Sequence, residues 1–293
     1  MAARRAAATS ISKPTLKFLN SSKPPDFTRI LPPAAVFASA RKSGFISCNK
    51  AQATVVLSEI WQAFQSMHNA GQQARVSAFS KICQTHNFPP SNLTSLATLV
   101  TQSPNTTIVS TDLLAIAESL NDPAAILKSA RKSLSTVRTA ITLPASPAFH
   151  RLTTLATTEK IPEAYELIAE TYDRLKSYAQ GQDNWLKAAQ LGSAKGCLMV
   201  GKYAAGKGKR DVALEWLKKA AEGQEAEAFY ELGCLQLEED EKEAEYNLSV
   251  AAGEGIVAAA EKLERLYKAR KTERMREHWE EAAVEMKKVK ETV

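Results

Sequence analysis

Between residues 161 and 271 the sequence resembles itself at a spacing of 31 or 32 residues. Four segments begin at Ala164, Gly196, Ala228 and Ala259, so successive origins lie 32, 32 and 31 residues apart. Repeats of this length are typical of helix pairs that cannot bury their apolar faces alone and therefore stack into a solenoid. The repeat predicts an all-α chain, an α-solenoid of antiparallel helix pairs with an N-terminal helical region and a long C-terminal helix.

Two separate patterns define each repeat. In the first helix, positions zero, four and eight from the origin share one face, and a small residue at position five lets a neighbouring helix approach closely. The first-helix residues are Ala164, Ile168, Ala169 and Tyr172, then Gly196, Val200 and Gly201, then Ala228, Leu232 and Gly233. In the second helix a large apolar residue precedes an Ala-Ala pair and a glycine, which we expect to be the left-handed residue after the helix. The second-helix residues are Trp185, Ala188, Ala189 and Gly192, then Leu217, Ala220, Ala221 and Gly223, then Leu248, Ala251, Ala252 and Gly255.

This combination resembles the Sel1-like repeat, a relative of the tetratricopeptide repeat, over a little more than a third of the chain. The second and third repeats carry Gly201, Gly233 and both Ala-Ala pairs. The first has Ala169 at the glycine position; the fourth has Glu264 there and no Ala-Ala helix, which suggests a capping half-repeat. The resemblance implies adaptor or assembly work, with protein or peptide binding on a curved surface and without catalysis.

Residues 1–47 have the composition of a targeting leader. Residues 1–50 contain nine Lys or Arg and one acidic residue, Asp26, whereas residues 51–293 carry 29 basic and 31 acidic residues. A basic, acid-poor stretch without a long apolar segment is typical of a mitochondrial transit peptide. We therefore expect a disordered leader over 1–47, cleavage between Ala38 and Lys50, and residence in the mitochondrial matrix or on the matrix face of the inner membrane. A plastid leader and an ordinary basic tail are the alternatives.

Two further regions flank the repeat. Residues 51–145 have apolar residues at helical spacing, without strand-like alternation, and this pattern predicts a helical region of unknown role. Residues 143–147 are predicted to form a linker to the repeat. Residues 272–293 are predicted to form a charged helix whose apolar stripe caps the last repeat. Five basic residues are closely spaced between 268 and 276, around the start of this helix. The alternative reading of the helix is therefore a docking patch for anionic lipid or RNA.

Motifs that could carry chemistry fail on inspection. Residues 201–207 match the start of a phosphate-binding loop, but Gly208 stands where magnesium binding requires Ser or Thr. The four histidines are scattered, without metal-ligand spacing. Cys197 and Cys234 fall at different positions of their repeats, so we expect reduced thiols. The sequence therefore predicts no catalytic, cofactor-binding or metal-ligating residue, and no enzyme activity.

The predicted function is a mitochondrial, non-catalytic scaffold for protein–protein interaction, such as an assembly or stability factor for a respiratory or translational complex. The partners are other proteins; peripheral contact with the inner membrane through the C-terminal helix is compatible with this role, and no apolar run is long enough for a transmembrane segment. The alternative is an organellar RNA-binding repeat protein, which the net charge of −2 over residues 51–293 disfavours.

Overall fold

A computed structural model describes residues 32–67, 70–100, 107–270 and 272–292. Within these ranges the chain forms fifteen α-helices and no β-strand. The helices divide between two compact units, residues 1–125 and residues 126–293, which are described separately. The predicted all-α fold class is confirmed.

The first unit is a small helical domain. Its helices are α1 (Ala34–Lys42), α2 (Lys50–Ser66), α3 (Gln72–Thr85), α4 (Pro90–Val100) and α5 (Thr107–Ser119), and α6 (Pro123–Leu134) begins at its end. Phe79, Leu93 and Ile116 are fully buried in its core. A reciprocal capping box starts α2, in which the side chain of Asn49 accepts from the Gln52 N–H and the side chain of Gln52 accepts from the Asn49 N–H.

The predicted leader overlaps this unit. Residues 1–31 lie outside the described residues, and the targeting role of the leader stays a prediction. Residues 34–42 form α1, and Phe37, Ala40 and Ile46 are buried in the core of the first unit. The expected disorder up to residue 47 is therefore wrong for residues 34–47, because their apolar side chains pack against the helices that follow.

The second unit consists mainly of helical hairpins. After the remainder of α6 it contains α7 (Pro147–Thr158), α8 (Pro162–Arg174), α9 (Tyr178–Gln190), α10 (Ala194–Gly206), α11 (Arg210–Glu222), α12 (Ala226–Gln236), α13 (Glu241–Gly253), α14 (Val257–Ala269) and α15 (Glu273–Thr292). From α8 onward three or four residues separate consecutive helices, so that neighbours run antiparallel. The hairpins are α8–α9, α10–α11, α12–α13 and α14–α15, and each packs on the next.

Small residues bring the helices of a hairpin together. A Cβ atom added to Gly201 would lie 2.7 Å from Cγ of Leu217, and one added to Gly233 would lie 2.7 Å from Cγ of Leu248. The large apolar residue of each second helix thus occupies the space that the glycine of the first helix leaves open. Ala169, at the equivalent position of the first repeat, is fully buried.

The turns after the second helices follow the prediction at two of three glycines. Gly192 and Gly255 have positive φ values of 91° and 85°, the left-handed conformation expected after a helix. The expectation is wrong for Gly223, which has a φ of −80°; the left-handed residue is Gln224, with a φ of 62°. Gly223 instead permits a close approach, because a Cβ atom there would lie 2.4 Å from Cβ of Ala194.

The fourth repeat is a complete hairpin. The C-terminal helix packs with its apolar stripe on the last repeat, as the sequence indicates: α15 contacts α14 and places Trp279, Ala283 and Met286 in the same core cluster as Leu248. The expectation of a half-repeat is wrong, because α15 is the second helix of this hairpin. Trp279-Glu-Glu-Ala282-Ala283 also reproduces the second-helix pattern, 31 residues after Leu248. The predicted boundary at residue 271 therefore falls inside the solenoid.

The other predicted boundary, near residue 145, also shifts. Leu143, in the predicted linker, is fully buried in a cluster with Leu134, Leu152 and Leu167. The guanidinium of Arg174 in α8 donates to the backbone carbonyls of Leu134 (2.6 Å) and Val137 (2.9 Å). Residues 126–145 thus belong to the second unit, because long-range packing ties them to its helices.

Candidate functional site

Ion pairs join the first helices of consecutive hairpins. Lys195 of α10 lies 2.6 Å from Glu170 of α8, and Lys202 pairs with Glu227 and, at 3.7 Å, with Glu231 of α12. We call these five residues the charge ladder. The side chains are one-quarter to one-half exposed, so each pair contributes only about 0–1 kcal/mol to stability. The ladder gives this face alternating negative and positive charge.

Three cations of the later hairpins also form ion pairs. Arg270 contacts two carboxylates of α13, Arg276 contacts two on its own helix, and Lys287 of α15 lies 2.6 Å from Glu261 of α14. A surface that tracks a nucleic-acid backbone needs cations free to meet phosphates. These three cations and the two of the charge ladder instead lie in close pairs with carboxylates.

The first hairpin contains a polar cluster around Asp173. One oxygen of this carboxylate, Oδ2, accepts from Nε1 of Trp185 (2.7 Å) and from the hydroxyl of Tyr203 (2.9 Å), which belongs to the next hairpin. Burial, followed by the hydrogen bond to Asp173, raises the pKa of Tyr203, so this hydroxyl stays protonated and donates. A Cβ atom at Gly181 would lie 2.1 Å from Oδ1 of Asp173. The absence of a side chain at Gly181 therefore makes room for the carboxylate.

A shallow groove lies beside this cluster. It has a volume of about 410 Å³ and is lined by Tyr172, Ala179, Gln180, Asp183 and Asn184. The ring of Tyr172 packs edge-on against Phe149 at 6.0 Å, which holds it in place. The adjacent Tyr178 is 54% exposed. Exposed tyrosines beside amide and carboxylate groups are common in protein interfaces, because the ring offers area and the hydroxyl hydrogen bonds. We call this feature, with Tyr178, the tyrosine groove.

The residues that define the repeat lie almost entirely in the interior. The following have 7% or less of their surface exposed: Ala164, Ile168, Ala169, Trp185, Ala188, Ala189, Leu217, Ala220, Ala228, Leu232, Leu248, Ala251 and Ala252. Gly196, Gly201 and Gly233 are also buried, Tyr172, Val200 and Ala221 are partly buried, and Gly192, Gly223 and Gly255 lie at the turns. These residues build the scaffold and bring no chemical groups together.

The structure shows where the residues of the candidate chemical motifs lie. Gly201, the first residue of the apparent phosphate loop, lies inside α10 against Leu217. Cys48, Cys83, Cys197 and Cys234 are free thiols, and burial raises the pKa of Cys83 to about 11. Within the described ranges there is no group of three or more metal-ligating side chains, and no helix has the length and hydrophobicity needed to cross a membrane.

Sequence reasoning missed both the charge ladder and the Asp173 cluster. The signal for the cluster was present in the repeat alignment. Where the second and third repeats have Ala213 and Ala244, the first has Gly181, and where they have leucine it has Trp185. Two departures in one repeat indicate a local substitution of a polar contact for an apolar one.

No protein-family model and no curated protein matches this sequence. Among solved structures, the Sel1 repeat protein from Oxalobacter formigenes matches at a TM-score of 0.53 and 17% identity, over 77% of this chain and 99% of that one. MamA matches at 0.40 and 16% identity, over 50% and 90%. The antigen c5321 of uropathogenic Escherichia coli, which has the same type of repeat fold, matches at 0.38 and 14% identity, over 85% and 63%. The repeat pattern, the stacked hairpins and the first of these matches agree: this chain has the fold of a Sel1-like repeat protein, an all-α repeat solenoid.

Proposed function

We propose that the protein is a non-catalytic scaffold that binds other proteins through the exposed faces of its solenoid. The fold is one that generally serves protein–protein interaction. The observation that carries the proposal is the groove at the first hairpin, which is lined by Tyr172 and polar side chains and adjoins in sequence Tyr178, which is 54% exposed. An aromatic anchor with a polar rim is the usual composition of a binding hot spot.

The alternative role in RNA binding receives less support from the charges. The cations of the charge ladder and those of α15 that form ion pairs already contact carboxylates at 2.5–3.7 Å. A phosphate backbone would have to displace these carboxylates, which opposes binding. The same pairing weakens the case for α15 as a patch for anionic lipid.

The mitochondrial address and the role as an assembly or stability factor belong to this proposal. The support for them is the composition of the predicted leader and the fold of a binding module. Import into isolated mitochondria, followed by protease protection and fractionation, tests the address directly. A protein that stays protease-sensitive outside the organelle contradicts it.

The scaffold role is tested by affinity purification of the tagged full chain, with and without RNase, from gently solubilised mitochondria. We expect protein partners that survive RNase and that are lost with Tyr178→Ala. Tyr246→Ala is the matched control, because Tyr246 is also a tyrosine on a second helix and is 60% exposed. Partners that vanish with RNase would contradict the proposal and favour the RNA-binding alternative.

A further inference from the structure

Three cations of the first unit line one open groove, which has a volume of about 560 Å³. Residues of α1 and the first residue of α2 form its lining: Ala34, Phe37, Ala38, Arg41, Lys42 and Lys50. Phe37 is buried, and the other five residues are exposed. A ligand can therefore contact the three charged side chains and the two alanine methyl groups without any change in the fold. We call this feature the cation groove.

The positive charge of the cation groove is not balanced by the chain around it. The sequence has no acidic residue between Asp26 and Glu59. Within the described part of the chain, none of the three cations forms an ion pair. Two nearby carboxylates in the sequence are already paired, since Glu59 lies 2.9 Å from His86 and Asp112 lies 3.0 Å from Arg75. An anion bound in the groove would reduce the repulsion among the three cations.

The position of Lys50 is not explained by the helix that carries it. Arg41 and Lys42 lie in the last turn of α1, where the partial negative charge of the helix end favours a cation. Lys50 is the first residue of α2, where the partial positive charge disfavours one, and the first turn of α2 contains no acidic residue. Lys50 therefore adds positive charge at a place where the helix alone would be more stable without it.

We propose that the cation groove binds a phosphate monoester, carried either by a soluble compound or by a lipid headgroup. Such a group has about −1.5 to −2 charges at neutral pH and three acceptor oxygens. A carboxylate or a phosphodiester has a single charge and would leave more of the repulsion among the cations in place. The planar guanidinium of Arg41 can donate two hydrogen bonds to one phosphate, and the two lysines add compact charges. Ala34 and Ala38 offer apolar surface to the organic part of the ester.

Methyl phosphate and dimethyl phosphate are matched probes, because both contain the phosphate group but only the first is a monoester. Each is titrated into the full ¹⁵N-labelled chain at constant ionic strength, which keeps the screening of charges equal. We expect methyl phosphate to shift the backbone amide signals of Arg41, Lys42 and Lys50. We also expect it to bind more tightly than dimethyl phosphate.

Substitutions of single cations test whether the groove is the site. Lys50→Gln should weaken the binding of methyl phosphate by about two- to fivefold, the range for an exposed ion pair, and Arg41→Gln/Lys50→Gln by about tenfold. Lys50→Arg keeps the charge and should keep the binding. Lys81→Gln is the control, because Lys81 is an exposed lysine of the same unit outside the groove, and it should leave the binding unchanged. Thermal denaturation checks that each variant is folded.

Vesicles distinguish the two sources of the phosphate group. The full chain is sedimented with phosphatidylcholine vesicles that contain or lack phosphatidic acid, a lipid with a phosphate monoester. Sedimentation that requires phosphatidic acid and is lost in Arg41→Gln/Lys50→Gln assigns the group to a lipid headgroup. Binding of methyl phosphate without such sedimentation assigns it to a soluble compound.

Three results would overturn the proposal. Dimethyl phosphate may not bind as tightly as methyl phosphate, since a single charge would then suffice, as in a nucleic-acid backbone. Lys50→Gln and Lys81→Gln must not have equal effects, because binding would then follow net charge and not the groove. Methyl phosphate at millimolar concentration must not leave the three amide signals unchanged. The site lies on the first unit, so its failure would leave the scaffold proposal unaffected.

Discussion

Gly201 lies so close to Leu217 that a single added carbon would overlap the leucine side chain. The contact is between two helices of one hairpin, and the backbone nitrogen of Leu217 is only 3.3 Å from the same point. Rotation of the leucine therefore cannot relieve the overlap fully. At the residue scale, the glycines at position five of the repeat mark positions that have no room for a side chain.

Gly201→Ala should lower the free energy of unfolding by about 1–3 kcal/mol, the usual cost of overpacking a core. Gly206→Ala is the control in the same helix, because a Cβ atom there meets nothing within 4 Å and its φ is negative. This control should be neutral or stabilising by up to about 1 kcal/mol, through the unfolded chain. Urea denaturation of both variants makes the comparison, and equal effects would contradict the packing argument.

Asp173 and Gly181 should behave as a coupled pair. Gly181→Ala places a methyl group against Oδ1 of Asp173 and should destabilise the protein, while Asp173→Ala leaves Trp185 and Tyr203 without their acceptor. In the double variant the added methyl group no longer meets the carboxylate. A double-mutant cycle should therefore show a coupling energy of about 1 kcal/mol or more. Strict additivity of the two changes would show that the clash is relieved elsewhere.

At the scale of elements, α13 and α14 are joined by a hydrogen bond from the hydroxyl of Tyr267 to Glu245, which Arg270 also contacts. Burial, and then the bond to Glu245, raises the pKa of Tyr267 from near 10 to about 12. The bond from Tyr267, and then Arg270, lowers the pKa of Glu245 below its usual 4.5. The contact is therefore intact between these two limits and is lost on either side.

The stability of the wild type should fall at both ends of the pH range. A raised folded pKa means that the contribution of Tyr267 is present below pH 10 and is lost as the pH rises towards 12. A lowered folded pKa means that the contribution of Glu245 is lost as the pH falls below about 4.5.

Two substitutions separate these contributions when the free energy of unfolding is measured against pH. Tyr267→Phe should remove the alkaline loss that comes from this residue. Glu245→Gln should remove the acid loss but keep part of the alkaline one, because burial is the larger cause of the tyrosine shift. A Tyr267→Phe variant with the same alkaline profile as the wild type would contradict this assignment.

At the scale of the whole molecule, residues 34–47 are assigned both to the predicted leader and to the folded first unit. Phe37 and Ile46 are 4% and 1% exposed in the core of the first unit. Loss of one buried phenylalanine side chain costs about 3–5 kcal/mol, against about 5–15 kcal/mol for the stability of a domain. Removal of this segment should therefore cost the first unit a large part of its free energy of unfolding.

Removal of residues 1–31 should leave a soluble, cooperatively folding protein, whereas removal of residues 1–47 should unfold or aggregate the first unit. Soluble yield and urea denaturation of the two truncations test this. If import removes a leader, N-terminal sequencing of the mature protein should then find a start no later than residue 33. A mature start between residues 38 and 50, as the composition predicted, would require the first unit to fold without Phe37.

The repeat register, the helix pairs and the buried faces were predictable from the sequence, because a helix is held by local hydrogen bonds and its packing face follows from spacing along a few turns. The second helix of the fourth repeat could also have been found there, since Trp279, Ala282 and Ala283 stand at the expected interval from Leu248. It was overlooked because the surrounding charges resemble a separate solvated helix.

Contacts between distant residues were decided by the tertiary structure alone. Asn92 meets Ser47 across 45 positions, Arg75 meets Asp112 across 37, and Tyr203 reaches Asp173 across 30. A polar side chain in the sequence gives no sign of its partner, because that depends on where the folded chain brings a distant segment. The sequence by itself therefore determined the architecture, whose forces act over short spans. Only the tertiary structure decided the Asp173 cluster, the tyrosine groove and the packing of residues 34–47 into the core of the first unit.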